Sequence, residues 1–266
     1  MGLNVLYYLR CTLALVILSI AAIYGIIVSI LCTIIGKQHL SQYLTARFYY
    51  TLMKYGMGID VKIIGEENLS KLPYVLISNH QSELDVLMIG KTFPPGCTVT
   101  AKGALKRAPI LGWFMSLSGT VFLDRTDRTK SVTTLNNSLT NIKKNKRAVC
   151  IFPEGTRSYS TELHMLPFKK GAFHLAQQGE LPIVPVVVAN TSSLLSHKWK
   201  TFNSGCMIVK VLKPIPTKGL KKEDITAFSE KVRSIMEKEL KELGYCPANN
   251  ITSLPPVVLE LQKKNL

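Results

Sequence analysis

An uninterrupted apolar segment near the N-terminus constrains the fold more than any other feature of the sequence. Cys11 to Gly36 is a run of 26 residues without a charged side chain, bracketed by Arg10 and Lys37. A helix needs about 20 apolar residues to cross the hydrocarbon core of a bilayer. The run also exceeds the roughly 7–15 apolar residues of a secretory signal, and no A-x-A-like cleavage site follows it. The sequence therefore predicts a retained membrane anchor.

The path of this anchor stays open at the level of sequence. A run of this length can cross the bilayer once with tilt, enter it as a hairpin bent near Gly25, or lie in the interface. A second segment, Gln42 to Met57, has the spacing of an amphipathic helix and carries Arg47 and Lys54. Such a helix suits either the bilayer interface or packing against the rest of the protein. Residues 1–58 are accordingly predicted to be the membrane anchor and interfacial helix.

The chain is strongly basic, with 33 Lys and Arg against 17 Asp and Glu and a net charge of +16. Such an excess suits nucleic acid, an anionic membrane surface or phosphate-bearing substrates. The sequence has no helix-turn-helix, zinc-finger or RNP-type pattern, which disfavours nucleic acid. Beside a membrane anchor, the charge favours lipid phosphates and the bilayer as partners.

The cysteines and histidines predict neither disulfides nor a metal site. The six cysteines are scattered without a C-x-x-C pair, and the five histidines lack ligand spacing. This cysteine usage suits a reducing compartment. Four N-x-S/T sequons, at positions 68, 136, 190 and 250, matter only if the protein faces a lumen.

From residue 60 onward, strand-like and helix-like runs alternate. The strand-like runs are 61–64, 74–78, 98–101, 120–123, 148–152, 183–188 and 207–211. The helix-like runs are 83–93, 109–118, 128–144, 169–178 and 222–243. This alternation predicts an α/β layered domain with a mostly parallel sheet flanked by helices, preceded by N-terminal membrane-anchoring helices. We assign the domain to residues 59–245. Three prolines predict a loose C-terminal extension over residues 246–266.

Chemically capable side chains follow the ends of four predicted strands. They are His80 and Asp85 after 74–78, Lys102 after 98–101, Arg125 after 120–123, and Glu154 with Arg157 after 148–152. Ligands of open α/β sheets bind beyond the carboxyl ends of the strands. A cluster of cations with one histidine at this edge predicts a base that works beside an anionic substrate. Each cation alone is equally explained by a surface salt bridge.

The stretch PEGTRS, residues 153–158, has the composition of a phosphate-binding loop. Gly155 lets the backbone approach a ligand closely, and Arg157 offers a planar fork of donors that matches phosphate. We expect Glu154 to hold Arg157 in place.

Four short blocks occur in a fixed order: NHQSELD over 79–85, GTVFLDR over 119–125, FPEGTRS over 152–158 and LPIVPVVV over 181–188. This set resembles the four motifs of the glycerolipid acyltransferases, specifically the lysophosphatidate acyltransferases of the eukaryotic microsomal type. The first motif of that family is N-H-x-x-x-x-D and the third contains E-G-T-R. The resemblance extends over roughly residues 60–245, the scale of one domain.

The resemblance implies a role for each motif residue. His80 would act as general base on the acceptor's hydroxyl, and Asp85 would orient its ring. The acceptor's phosphate would be bound by Arg157, with Arg125 and Lys102 nearby and with a loop shaped by Glu154, Gly155 and Thr156. No cofactor and no metal are implied, because acyl-CoA is an activated co-substrate. Consistently, the sequence has no G-x-S-x-G nucleophile elbow.

The spacing of His80 and Asp85 requires a turn between them, because five residues on a continuous helix place side chains about 140° apart. We therefore expect His80 to precede the helix, Ser82 to cap it and Asp85 to reach back from its first turn. The segment 109–119, with Trp113 and Phe114, is expected either to line an acyl tunnel or to belong to the core.

The implied activity is transfer of an acyl chain from acyl-CoA to the free sn-2 hydroxyl of lysophosphatidate, giving phosphatidate for phospholipid and triacylglycerol synthesis. Glycerol-3-phosphate and other lysophospholipids stay open as acceptors. A non-catalytic protein that binds anionic lipid is a further alternative, although phosphate binding does not need the His80–Asp85 pair. The resemblance also implies an endoplasmic reticulum membrane protein with a cytosolic domain, and lipid droplets as a second location.

Overall fold

The N-terminal segment is one long helix, α1 (Gly2–Ile34). The computed structural model describes residues 2–69, 71–123, 128–250 and 253–264. Helix α1 is continuous through Gly25, so the predicted alternative of a hairpin bent at this glycine is wrong. A Cβ atom at Gly25 would lie 2.5 Å from the ring of Phe114 and 2.8 Å from Thr45. This glycine therefore serves close helix packing and does not bend the chain.

Helix α1 presents one face to the domain and the other to the surroundings. Tyr7 near its start and Ala21 and Ala22 in its middle are buried against the domain. Large apolar side chains at positions 5, 6, 8, 9, 13, 15, 16, 20, 23, 27, 30, 31 and 34 are exposed. Among the described residues, this is the one helix long and apolar enough to cross a membrane. It is a candidate membrane anchor.

The second helix, α2 (Ser41–Met57), packs between α1 and the domain. Its buried face includes Tyr49, Met53 and Met57. Gly58 ends the helix in the left-handed conformation, and its N–H bonds the carbonyl of Lys54. Because one face of α2 is buried against the protein, packing explains the apolar spacing of this segment.

The domain is built on a sheet of seven strands in the order β1-β9-β6-β2-β5-β3-β4. These strands are β1 (Ile59–Ile64), β2 (Tyr74–Ser78), β3 (Cys97–Lys102), β4 (Val121–Leu123), β5 (Ala148–Ile151), β6 (Ile183–Val188) and β9 (Gly205–Val211). Every neighbouring pair is parallel except β6 and β9. A separate two-stranded hairpin consists of β7 (Leu195–Ser196) and β8 (Thr201–Phe202).

Helices cover both faces of the sheet. Besides α1 and α2, the helices of the chain are α3 (Asp85–Thr92), α4 (Leu111–Leu117), α5 (Arg128–Lys144), α6 (Gly171–Gly179), α7 (Ile225–Leu243) and α8 (Pro256–Lys264). Along β2, Leu76 packs into the core beneath α1, α2 and α3, while Val75 and Ile77 pack into the core beneath α5, α6 and α7. Because side chains alternate across the sheet and both faces are covered, β2 is buried at every position and is apolar from Tyr74 to Ile77. The predicted α/β architecture with a mostly parallel sheet is confirmed.

All seven predicted strands and all five predicted domain helices are present, with ends within three residues of those expected. The hairpin β7–β8 and helix α8 were not expected. The division of the chain at residues 58 and 245 stays a prediction.

The expectation of a loose C-terminal tail is wrong for the residues that the structure describes. Cys246 is fully buried, and its N–H bonds the carbonyl of Asn190. Leu254 and Val258 are also buried. Pro256 begins a helix and does not indicate a loose tail. It occupies the first position of α8, where its missing N–H costs nothing.

Candidate active site

A tight turn between β2 and α3 brings His80 and Asp85 together. The Nδ1 atom of His80 lies 2.7 Å from Oδ2 of Asp85. The same carboxylate oxygen accepts the backbone N–H groups of Gln81 at 2.7 Å and Ser82 at 3.2 Å. Asp85 is the first residue of α3 and is buried. The turn predicted from the spacing of these two residues is therefore present.

Ser82 does not cap α3 as expected. The residue before the helix is Leu84, and Ser82 Oγ accepts a hydrogen bond from the Leu84 N–H at 3.2 Å. The hydroxyl also lies 3.3 Å from Oγ1 of Thr191. The Asp85 carboxylate binds the N–H groups of Gln81 and Ser82, and the Ser82 hydroxyl stabilises the turn that precedes the helix.

The ring of His80 is fixed by two contacts. It stacks on Phe152 with ring centroids 4.1 Å apart, and its Nδ1 faces Asp85. A proton on Nδ1 leaves Nε2 as the basic nitrogen of the ring. Among the described residues Nε2 has no hydrogen-bond partner, and His80 lines a cavity of about 480 Å³. This nitrogen can accept a proton from a hydroxyl bound in the cavity.

Glu154 ties the turn to the loop that follows β5. Its Oε1 accepts the N–H of His80 at 2.7 Å, and its Oε2 accepts the N–H of Leu166 at 3.0 Å. Burial raises the pKa of Glu154 to about 7, with a smaller contribution from the negative charge of Asp85, while the two N–H groups oppose the rise. The expectation that Glu154 holds Arg157 is wrong, because both of its oxygens bind backbone groups.

Arg157 is instead paired with Glu83. Its Nη1 lies 3.0 Å from Glu83 Oε1 and donates to Tyr159 Oη at 3.2 Å, and that hydroxyl donates to the same Glu83 oxygen at 2.7 Å. The other oxygen of Glu83 lies 3.0 Å from Nε2 of His197. Burial opposes ionisation of Glu83, but these hydrogen bonds and the Arg157 charge outweigh it and hold its pKa below the ordinary value.

Gly155 is required by the shape of its loop. Its φ of +71° lies in the left-handed region, and a Cβ atom there would lie 2.8 Å from Cδ of Lys169. The next residue, Thr156, lines the cavity, as does Lys102 at the end of β3. Arg125 lies outside the described residues.

The lining of the cavity includes a polar group of side chains, here called the polar end, and an apolar group, here called the apolar end. His80, Glu83 and Arg157 line the first. Apolar side chains from four helices line the second, namely Ala21 and Ala22 of α1, Ala46 of α2, Ile89 of α3, and Phe114 and Met115 of α4. Of the pair expected at an acyl tunnel, Phe114 lines the cavity, whereas Trp113 is 61% exposed.

Sequence reasoning missed Glu83, Tyr159 and His197. Glu83 lies inside the first motif, but roles were predicted only for His80, Ser82 and Asp85. His197 is 114 residues away from Glu83 in the chain. No local signal could have paired them, because the fold alone brings the β7–β8 hairpin to this edge. In the part of the chain that the structure describes, no three His, Cys, Asp or Glu side chains cluster as metal ligands.

Comparison with known proteins gives consistent matches. The Acyltransferase family model matches residues 60–189. A Saccharomyces cerevisiae 1-acyl-sn-glycerol-3-phosphate acyltransferase is 62% identical over 96% of this chain and 84% of its own length. The human 1-acyl-sn-glycerol-3-phosphate acyltransferase alpha is 37% identical over 72% of this chain and 68% of its own length.

A solved structure agrees with these sequence matches. The crystal structure of the 1-acyl-sn-glycerophosphate (LPA) acyltransferase PlsC from Thermotoga maritima superposes with a TM-score of 0.65 and 26% sequence identity. The match covers 90% of this chain and 95% of the PlsC chain. With the site's geometry and the identity to the yeast and human proteins, these matches show that the chain belongs to the 1-acyl-sn-glycerol-3-phosphate acyltransferase family.

Proposed function

We propose that this enzyme transfers an acyl chain from acyl-CoA to the sn-2 hydroxyl of 1-acyl-glycerol-3-phosphate and so produces phosphatidate. The observation that carries the proposal is the His80–Asp85 pair, 2.7 Å apart, at the polar end of a cavity whose other end is apolar. The relatives named above are acyltransferases of 1-acyl-sn-glycerol-3-phosphate, which supports the choice of acceptor.

The proposed reaction is a direct transfer. Nε2 of His80 takes the proton of the acceptor hydroxyl while the oxygen attacks the thioester carbon of acyl-CoA. The C–S bond then breaks, and the departing CoA sulfur takes the proton back from His80. Asp85 holds the ring in one tautomer and favours the imidazolium that forms between these steps.

The two ends of the cavity suit the two ends of the acceptor. Arg157 and Lys102 offer positive charge to the phosphate, and the planar guanidinium matches its oxygens. The apolar end, which the helices supply, suits an acyl chain. Glycerol-3-phosphate has no acyl chain and would leave that apolar surface unused, so the cavity favours lysophosphatidate over this alternative acceptor.

We also propose that α1 lies along the membrane surface and does not cross it. The helix contacts the domain at its start, where the Tyr7 hydroxyl lies 2.7 Å from Nδ1 of His197, and in its middle, where Gly25 meets Phe114. Just beyond its end, Gln38 bonds the Leu117 carbonyl at 2.8 Å. A helix held along its whole length cannot also traverse about 30 Å of hydrocarbon.

The proposed location is the cytosolic face of the endoplasmic reticulum membrane, with lipid droplets as a second site. Two sequons support a cytosolic domain. The Asn190 side chain is buried and donates to the carbonyls of Ser160 and Glu162 at 3.0 and 3.2 Å. Asn68 donates to the Val211 carbonyl at 3.0 Å. A glycan replaces one of the two hydrogens on Nδ2, so glycosylation of Asn190 would break one of its two bonds, and a sugar on Asn68 would crowd its contact with Val211. Both positions therefore favour a domain outside the lumen.

The first prediction concerns the reaction and its base. Detergent-solubilised protein, given labelled acyl-CoA and a panel of lysophosphatidate, glycerol-3-phosphate and lysophospholipids, is expected to prefer lysophosphatidate. His80→Ala should lower the transfer rate about 10²–10⁴-fold, the usual contribution of a general base. His164→Ala is the control, because this exposed histidine lies outside the cavity. Preference for another acceptor would refute the acceptor assignment, and a loss below tenfold in His80→Ala would refute the base.

A second prediction concerns the phosphate site. Arg157→Ala is expected to raise KM for lysophosphatidate about 10-fold or more, since a charged hydrogen bond contributes about 1.5–3 kcal/mol. KM for acyl-CoA should stay unchanged. Arg157→Lys should recover only part of the loss, because it restores the charge without the planar fork. An unchanged KM for lysophosphatidate in Arg157→Ala would assign the phosphate to other residues.

A third prediction follows from the pKa of Glu154. The folded-state value of about 7 lies above the ordinary value of 4.5, so the folded protein binds this proton more tightly than the unfolded chain does. The contribution to stability is present below pH 4.5 and is lost as pH rises through about 7. The Tm of the wild-type protein minus that of Glu154→Gln should therefore fall between about pH 5 and about pH 8. A difference that is constant or grows with pH would contradict the raised pKa.

A fourth prediction concerns the membrane. An epitope tag placed before Met1 and the catalytic domain should both be digested when protease is added to sealed microsomes. A lumenal marker protein that stays intact is the control for sealing. Digestion of the domain with protection of the tag would show that α1 crosses the bilayer.

A further inference from the structure

Glu83 is the one charged side chain between His80 and Asp85, and the proposed reaction does not use it. Its carboxylate lies at the polar end of the cavity and contacts Arg157, Tyr159 and His197. We propose that Glu83 is a positioning residue for the acceptor's phosphate: it fixes the guanidinium of Arg157 and is itself held by His197, which is bonded to Tyr7 of α1. This inference rests on the proposed function, because it takes Arg157 as the group that binds the phosphate.

Arg157 needs such a partner because of where it stands. It lies in a loop after β5, and its side chain is 39% exposed. A long side chain on an exposed loop samples many rotamers, and binding a phosphate would remove that freedom. A guanidinium already held in its bound orientation loses less on binding, so its affinity is higher. Glu154 does not supply this restraint, because its two oxygens bind the N–H groups of His80 and Leu166.

Arg157 keeps free donors for a phosphate after it has bound the Glu83 carboxylate. Glu83 Oε1 and the Tyr159 hydroxyl both contact Nη1 of Arg157, at 3.0 and 3.2 Å. A guanidinium has five N–H donors spread over three nitrogen atoms. Neither Nη2 nor Nε has an acceptor among the described residues. The phosphate can therefore bind these two nitrogens while Glu83 keeps Nη1.

A carboxylate beside a phosphate must itself be balanced, because like charges at close range repel. The second oxygen of Glu83 lies 3.0 Å from Nε2 of His197. The other ring nitrogen, Nδ1, lies 2.7 Å from the hydroxyl of Tyr7. The tyrosine hydroxyl can donate to a neutral ring or accept from a protonated one, so the contact survives in either state. His197 thus restrains Glu83 on the side away from Arg157.

The network ends on the candidate membrane anchor. Tyr7 is buried near the start of α1, and Lys200 lies 5.4 Å above its ring. His197 and Lys200 both belong to the turn that joins β7 to β8. The position of α1 on the domain therefore sets the position of His197, which in turn sets Glu83 and Arg157. A substitution of Tyr7 should therefore weaken phosphate binding at Arg157, although Tyr7 does not line the cavity.

A plain surface ion pair is the competing explanation, since the Glu83 side chain is 44% exposed. Pairs of that kind contribute little to stability. A pair with no role in the site would not affect substrate binding. The two explanations differ in what a substitution changes. A surface pair would leave KM alone, whereas a positioning residue would raise KM for the phosphate-bearing acceptor and leave KM for acyl-CoA unchanged.

The test uses the full-length protein and four variants: Glu83→Ala, Glu83→Gln, His197→Ala and Tyr7→Phe. We expect Glu83→Ala to raise KM for lysophosphatidate about tenfold, with kcat within about threefold of wild type. Glu83→Gln should fall between wild type and Glu83→Ala, because the amide oxygen still accepts from Arg157 without the charge. His197→Ala and Tyr7→Phe should shift KM in the same direction by smaller factors.

Glu162→Gln is the matched control. Glu162 also faces a histidine, His164 at 3.5 Å, but it lies outside the cavity and is 79% exposed. Its KM for lysophosphatidate should equal that of wild type. The double variant Glu83→Ala with Arg157→Ala should show the KM of Arg157→Ala alone, because a positioning residue has nothing left to position. Additive effects in the double variant would refute the inference.

Two outcomes would overturn the proposal directly. A KM that falls in Glu83→Ala would mean that the carboxylate repels the phosphate, and an unchanged KM would mean a plain surface pair. Equilibrium binding of labelled lysophosphatidate to wild type and Glu83→Ala gives a readout that does not depend on turnover. Equal affinities there would refute the role of Glu83 even if the protein transferred no acyl chain. Wild-type preference for a different acceptor, with a tenfold weaker affinity for lysophosphatidate in Glu83→Ala, would refute the proposed function alone.

Discussion

One carboxylate oxygen, Oδ2 of Asp85, carries the geometry on which the rest of the site depends. It receives Nδ1 of His80 and the backbone N–H groups of Gln81 and Ser82, all within 3.2 Å. These contacts close the turn between β2 and α3, so the same atom shapes the backbone and orients the ring. The other oxygen, Oδ1, is buried without a hydrogen-bond partner in the part of the chain described. Losing this carboxylate would therefore disturb the fold of the turn together with its chemistry.

The cavity joins two kinds of surface that arise from different parts of the sequence. Its polar end is made where parallel strands stop, because their following loops meet at one edge of the sheet. Its apolar end is made by side chains of α1, α2, α3 and α4. An amphiphilic acceptor needs both surfaces within the length of one molecule. The long N-terminal helix is thus part of the binding site as well as a candidate attachment to the membrane.

Sequence patterns predicted the sheet well because burial on both faces makes β6 apolar throughout and β2 apolar up to Ile77. They predicted the His80 turn because a helix cannot place residues five apart side by side. They failed where a contact depends on the orientation of a side chain or joins residues that are far apart in the sequence. Glu154 stands next to the arginine it was expected to hold, yet its oxygens turn to backbone groups. The pairing of Glu83 with His197 depends on tertiary structure, and the two-residue strands of the hairpin are too short to leave a pattern.

The single antiparallel pair in the sheet has a consequence for how this protein family can vary. Because β9 runs opposite to β6, the chain between them stays at the carboxyl edge of β6, next to the His80 turn. A parallel crossover would have carried it to the far end of the sheet. Exposed loop residues tolerate substitution and insertion better than buried residues do. Residues 189–196 of this segment are buried, and the Thr191 N–H donates to Gln81 Oε1 at 2.8 Å, so this part is tied to the catalytic turn. Variation beside the acceptor's head is therefore expected at the exposed hairpin tip, residues 198–200.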